Sequence, residues 1–138
     1  MHHDRHNSPR IVITGMGALT VLGHSAKATW DGMREGRSGI TRFEGEAFDK
    51  YAGKWTCQIA GQVNGWKPGD WIEHKEIRRI DRFALLGMGA AVDAVRHSGI
   101  DFSKENPECC CVVIGSGVGG ITTIEESVYV LRDRGPDR

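Results

Sequence analysis

CCCVVIGSGVGGITTIEE, residues 109–126, decides the fold. The cysteines, valines and isoleucine form one unbroken apolar run, and it ends in Gly115-Ser116-Gly117-Val118-Gly119-Gly120. An uninterrupted run of this length reads as a strand covered on both faces, as in parallel sheets. Ile121, Ile124, Val128 and Leu131 then recur at three- and four-residue steps, one face of a helix. Glu125 and Glu126 stand near its start, and Gly135-Pro136 ends it. The unit is strand, glycine turn, helix.

Related units precede it. RIVIT, residues 10–14, is a β-branched run leading into Gly15-Met16-Gly17, which reads as a buried strand and a turn. Ser25 suits the N-cap of a helix over residues 26–35, with Trp30 and Met33 on one face and Gly36 as the stop. Residues 37–55 are mixed and read as loop. CQIAGQV, residues 57–63, alternates enough for a short strand, and Gly65, Pro68 and Gly69 mark a turn after it. Ile77, Ile80, Ala84, Met88, Ala91 and Val95 predict one long helix, with His97 favourable at its C-terminal end and Gly99 at C′. Gly87, Gly89, Ala90 and Ala91 thin that helix, which predicts close approach of another helix or sheet at some loss of helix propensity. The order β, α, β, α, β, α predicts an α/β layered fold with a largely parallel sheet.

Composition narrows the function classes. The chain has 138 residues, about one domain, and an ordinary globular balance of 39% hydrophobic and 26% charged residues. Its 18 basic and 18 acidic residues cancel, so net charge points to neither nucleic acid nor membrane as a partner. Residues 1–9 are polar and read as a disordered tail. They have no apolar core, so they are not a signal peptide. Three of the four cysteines, Cys109, Cys110 and Cys111, are consecutive; neighbouring strand side chains face opposite ways, so they suit neither a shared metal nor a disulfide. Small buried hydrophobes in a reducing cytoplasm fit better. No metal or cofactor is expected.

Gly115, Gly117 and Gly120 match G-x-G-x-x-G after a strand and before a helix, so a small dinucleotide-binding domain stays open as a reading. Its acids, Glu125 and Glu126, fall inside the helix instead of after a second strand. Lys75, Arg78, Arg79 and Arg82 sit one turn apart at the start of the long helix. Cations there oppose the helix dipole, and Glu76 and Asp81 are available to neutralise them. As pattern alone the cluster reads as a solvated face.

As a set, these segments resemble the opening of β-ketoacyl-acyl-carrier-protein synthases, the elongating synthase II kind above all. The resemblance rests on RIVITGMGALTVLG (10–23), TWDGMREGRSGI (29–40), HKEIRRIDRFALLGMGAAVDAVRHSGI (74–100) and VVIGSGVGGITTIEE (112–126). It covers residues 10–138 and implies a thiolase-like layered fold of which this chain is the N-terminal part of the first half, truncated at its C-terminus. It further implies a cytoplasmic, normally homodimeric acyltransferase. An elbow cysteine accepts the acyl group from acyl carrier protein, and two histidines support decarboxylative condensation with the malonyl thioester. That cysteine and both histidines are expected beyond Arg138, so no residue here is assigned a catalytic role.

Two features carry over by position. Lys75, Arg78 and Arg79 match the basic residues that grip the acidic carrier protein, and Val118 matches an apolar residue lining the acyl pocket. Gly135-Pro136-Asp137-Arg138 resembles a segment with two basic residues after G-P, from which Asp137 departs. A non-catalytic partner resembling a chain-length factor is the alternative within this fold. In either case the segment alone is expected to fold poorly, with apolar strands and helix faces open.

Overall fold

Ser25 starts helix α1, Ala26–Arg34, by accepting a hydrogen bond from the Ala28 N–H at 3.1 Å. A side-chain oxygen there serves a donor that has no partner inside the helix. Gly36 stops the helix at φ 67°, a conformation only glycine adopts without steric cost. The computed structural model describes residues 10–45, 49 and 53–136; the expected tail 1–9, Asp137 and Arg138 lie outside the described residues.

A strand stands where the sequence reads as loop. β1, Ile40–Arg42, pairs antiparallel with β2, Ile59–Gly61, in the register Ile40↔Gly61 and Arg42↔Ile59. Polar side chains extend the pair: Arg42 donates to Gln58 Oε1 at 2.6 Å, and Gln62 exchanges hydrogen bonds with the Glu44 backbone at 2.9 and 3.1 Å. Cross-strand polar pairs hold this hairpin, and no apolar face announces it.

The expected long helix is two. α2, His74–Ile77, is followed by α3, Arg82–Ser98. Asp81 separates them, because its backbone is extended and its carboxylate caps α3 by accepting the Phe83 N–H at 3.3 Å. Gly99 closes α3 at φ 66°, as its position predicts. His97 lies in the last turn, and its Nδ1 accepts the Met16 N–H at 3.0 Å. α4, Ile121–Arg134, ends at Gly135, φ 80°.

Trp66, Ile72 and Leu85 form the buried core, flanked by Leu19, Val63, Ile77, Ile80 and Met88. The predicted stripe on α3 is thus inward through Met88, whereas Ala91 and Val95 are exposed. The thin middle of the helix does admit close neighbours, but they are not a helix or a sheet. The Trp66 ring and Leu19 lie on Gly89, where an added Cβ would stand only 2.5 Å from Trp66 Cζ2. The backbone at Gly15 and Gly17 lies against Ala90, Ala94 and Ser98, so that neither glycine has room for a Cβ. These two are needed for close approach; neither has positive φ.

The expected parallel sheet is not formed among the described residues. The runs 10–14 and 109–114 are in no strand, and the sheet found among the described residues is the β1–β2 pair. Ile11, Ile13, Val112 and Val113 are between 82% and 90% exposed, and all four cysteines are exposed instead of buried. The reason is physical: a strand exists through its ladder neighbours, and neither run has one here. Apolar residues along α4, including Ile121, Ile124, Val128 and Leu131, are exposed as well. Open apolar surface of this extent predicts that the isolated 138-residue chain binds an apolar dye and melts without a cooperative transition. A sharp two-state melt of a soluble monomer, silent to the dye, would contradict it.

Candidate functional site

The break at Asp81 reshapes the basic cluster. Lys75 lies on α2, Arg78 caps its C-terminal end, and Arg79 follows with its N–H on the Glu76 carbonyl at 2.9 Å. Arg78 and Arg79 therefore sit at the carbonyl end of a helical turn, and none of the three cations stands inside the first turn of a long helix. That removes much of the dipole conflict expected from the sequence. Arg82 separates from the group. It stands at the start of α3 and donates to the Val63 carbonyl at 2.6 Å, tying the helix to the core segment.

Lys75, Arg78 and Arg79 are exposed and converge on one shallow depression, together with His74 and Glu76. Among the described residues the three cations make no ion pair, although Glu76 and Asp81 are close in sequence. Ile77 and Ile80 turn inward beneath them and seat the corner on Trp66, Ile72 and Leu85. The site is a cationic surface on a packed base.

Val118, the other predicted site residue, is 72% exposed in the glycine segment before α4. The structure does not bring it against the cations. The two regions instead meet at Asp81, which the sequence suggests only as a counter-ion. Its Oδ1 caps α3, and its Oδ2 accepts the hydroxyl of Thr123 in the first turn of α4. Gly119, φ 86°, rests on the Phe83 ring at 3.5 Å from its would-be Cβ, and a Cβ on Gly120 would stand 2.6 Å from Asp81 Oδ2. The hydrogen bond from Thr123, and then those from the Phe83 region backbone, hold the Asp81 carboxyl below its ordinary range against opposing desolvation. An aspartate just ahead of an apolar-periodic run is a residue type that N-caps helices, and that was the available sequence signal for it. Gly115 and Gly117 face open space, so close packing within this motif is confined to Gly119 and Gly120.

No group of three or more potential metal ligands exists among the described residues. Cys109 and Cys110 contact Asn106 through weak sulfur hydrogen bonds, and His97 is engaged with Met16. None of these lines the cationic depression.

Residues 8–137 match the family described as the beta-ketoacyl synthase N-terminal domain. The chain belongs to the beta-ketoacyl synthase family. It is 37% identical over 132 residues to a Staphylococcus aureus 3-oxoacyl-[acyl-carrier-protein] synthase 2, and 33% identical over 132 residues to the Synechocystis protein of that name. Each alignment covers 94% of this chain and 30% of the relative, so the chain spans about a third of their length. Among solved structures, a type II PKS ketosynthase in complex with its acyl-carrier protein and bound to the hexaketide superposes with a TM-score of 0.69 at 22% identity. That likeness covers 90% of this chain and 30% of the other and speaks for the fold. An ishigamide ketosynthase/chain length factor gives a TM-score of 0.54 at 28% identity, over 67% of this chain and 22% of the other.

Within this beta-ketoacyl synthase segment the depressed Asp81 carboxyl has a stability consequence. A lowered folded-state pKa contributes stability that is complete above the unfolded value and is lost as pH falls through the folded one. Compared with Asp81→Asn in the intact protein, wild type should hold a higher urea midpoint above about pH 5, and the gap should close below the ordinary aspartate value of about 3.9. A gap that ignores pH across that range would refute the role of the charge.

Proposed function

We propose that the chain is the carrier-docking segment of a 3-oxoacyl-[acyl-carrier-protein] synthase with a thiolase-like layered fold. The supporting observation is the convergence of Lys75, Arg78 and Arg79 on one exposed depression with no ion pair among the described residues, in a chain 37% identical to a synthase 2. An acidic carrier protein is the complementary partner. Exposed cations on a rim contribute more to encounter rate and orientation than to tightness. Val118 is proposed to line the acyl pocket, where valine leaves more room than a larger apolar residue would.

The reaction proposed for the whole protein is a decarboxylative Claisen condensation. A cysteine thiolate takes the acyl group from the carrier thioester. Malonyl carrier protein loses CO2, and the resulting enolate attacks the acyl thioester, which releases the cysteine and leaves a 3-oxoacyl carrier protein. Imidazole and backbone N–H donors stabilise the charge that develops on oxygen. Those groups are not assigned to any residue of this chain, and no cofactor is invoked. A cytoplasmic homodimer completes the reading; no helix among the described residues is long and apolar enough to cross a membrane.

The chain-length-factor reading keeps a footing in the ishigamide likeness. The dinucleotide reading has less support, because the Asp81 carboxylate occupies the α4 N-terminus that a pyrophosphate would need.

Incubation of the intact protein with acyl and malonyl carrier protein should release CO2 and yield a 3-oxoacyl carrier product. Carrier binding without CO2 release would favour the chain-length-factor reading, and absence of both would sink the two together. Arg78→Glu should weaken carrier binding about tenfold or more at low salt. The deficit should shrink near 1 M salt, where the Debye length falls to about 3 Å. Equal affinity of variant and wild type at low salt would remove the docking assignment.

A further inference from the structure

The basic cluster and the glycine loop are separated by more than a whole helix in sequence, yet the corner that carries the cations ends in a side chain that reaches the loop. Asp81 lies two residues beyond Arg79, at the end of the corner that carries the cations. One of its carboxylate oxygens is held by the Phe83 N–H, the other by the Thr123 hydroxyl. Around this contact Gly119 sits on the Phe83 ring, and Gly120 is close enough to Oδ2 that a side chain there would collide. The first turn of α4 starts on the same residues, with Ile121 N–H on the Gly119 carbonyl and Ile124 N–H on the Gly120 carbonyl, both at 3.0 Å. Val118 immediately precedes them.

We infer that Asp81 is a positioning residue that couples the docking surface at Lys75, Arg78 and Arg79 to the loop carrying Val118. This rests on the docking reading given above and adds a route from that surface into the protein. Three properties make the contact suited to it. A hydrogen bond to a carboxylate is stronger than one between neutral groups. The Asp81 backbone is extended between two helical pieces, so a shift of the α2 corner is delivered to its side chain and is not absorbed inside a helix. On the receiving side, glycine backbone lies directly against the carboxylate and Phe83, so little slack separates them. Docking that settles the corner would thereby order the loop and the first turn of α4.

Hydrogen exchange on the intact protein, with and without acyl carrier protein, tests this. In wild type the carrier should slow exchange over residues 74–80 and also over residues 119–124, the latter by about fivefold or more, the lower end of ordinary coupling between sites. Thr123→Val keeps the side-chain shape and removes the hydroxyl. It should retain the slowing at 74–80 and lose it at 119–124, and Thr123→Ser should restore it. Asp81→Asn, which keeps an oxygen for the Phe83 N–H, is the second severing variant if the valine lowers protection everywhere; loss of the slowing at 119–124 alone supports the coupling in that case too. Slowing at 119–124 that survives both severing variants, or that is missing in wild type while 74–80 responds, overturns the coupling and leaves docking intact. No slowing at 74–80 in wild type removes the docking reading itself, and the coupling with it.

Discussion

The arrangement depends on missing side-chain volume along α3. Gly89 lets the Trp66 ring and Leu19 settle on the helix, and Ala90 and Ala94 leave a shallow track for the backbone at Gly15 and Gly17. A methyl group at any of those three glycines would force the segments apart, since packed interiors have no spare room of that size. With the contact in place, residues 15–19 run along α3 and deliver Thr20, whose hydroxyl meets that of Thr29 on α1 at 2.9 Å. Trp66, anchored on the same seam, fixes the Pro68–Asp70 turn and through it α2. The position of the cationic depression is thus inherited from a glycine some way down the neighbouring helix.

Legibility followed the range of the forces involved. Ser25, Gly36, Gly99 and Gly135 act within one helical turn, and each ends or starts an element where its residue type says it should. The break at Asp81 was illegible from periodicity, because Ile77, Ile80, Ala84 and Met88 keep a helical spacing straight across it. Packing on Trp66 accepts that spacing from two pieces as well as from one. β1 has no apolar alternation to mark it, because the Gln62 side chain on the Glu44 backbone and Arg42 on Gln58 hold the pair. Runs 10–14 and 109–114 have the composition of strands, but a ladder requires neighbours that composition cannot supply, and neither run is a strand.

The candidate site divides in the same way. Helical spacing groups Lys75, Arg78, Arg79 and Arg82, the resemblance singles out the first three, and those three line one depression in the structure. Arg82 shares the spacing yet leaves the group, because the Val63 carbonyl lies within its reach. Asp81, which the sequence offers with Glu76 only as a counter-ion, pairs instead with Thr123, 42 residues away and out of reach of any local pattern.

That partnership also explains how a chain of zero net charge presents a cationic face. Asp81 is the nearest acid after the cluster, and both of its oxygens are already engaged by the Phe83 N–H and the Thr123 hydroxyl. It is therefore a poor counter-ion for Arg78 and Arg79, and no ion pair forms between them among the described residues. Glu76 shares the depression with the three cations, which still outnumber it there. With a Debye length near 10 Å at 0.1 M salt, a partner approaching the depression responds to the charges within that radius. Hydrogen bonding leaves the Asp81 carboxylate charged but fixes it on the Phe83 N–H and the Thr123 hydroxyl, so a partner at the depression meets cations that are in no ion pair among the described residues.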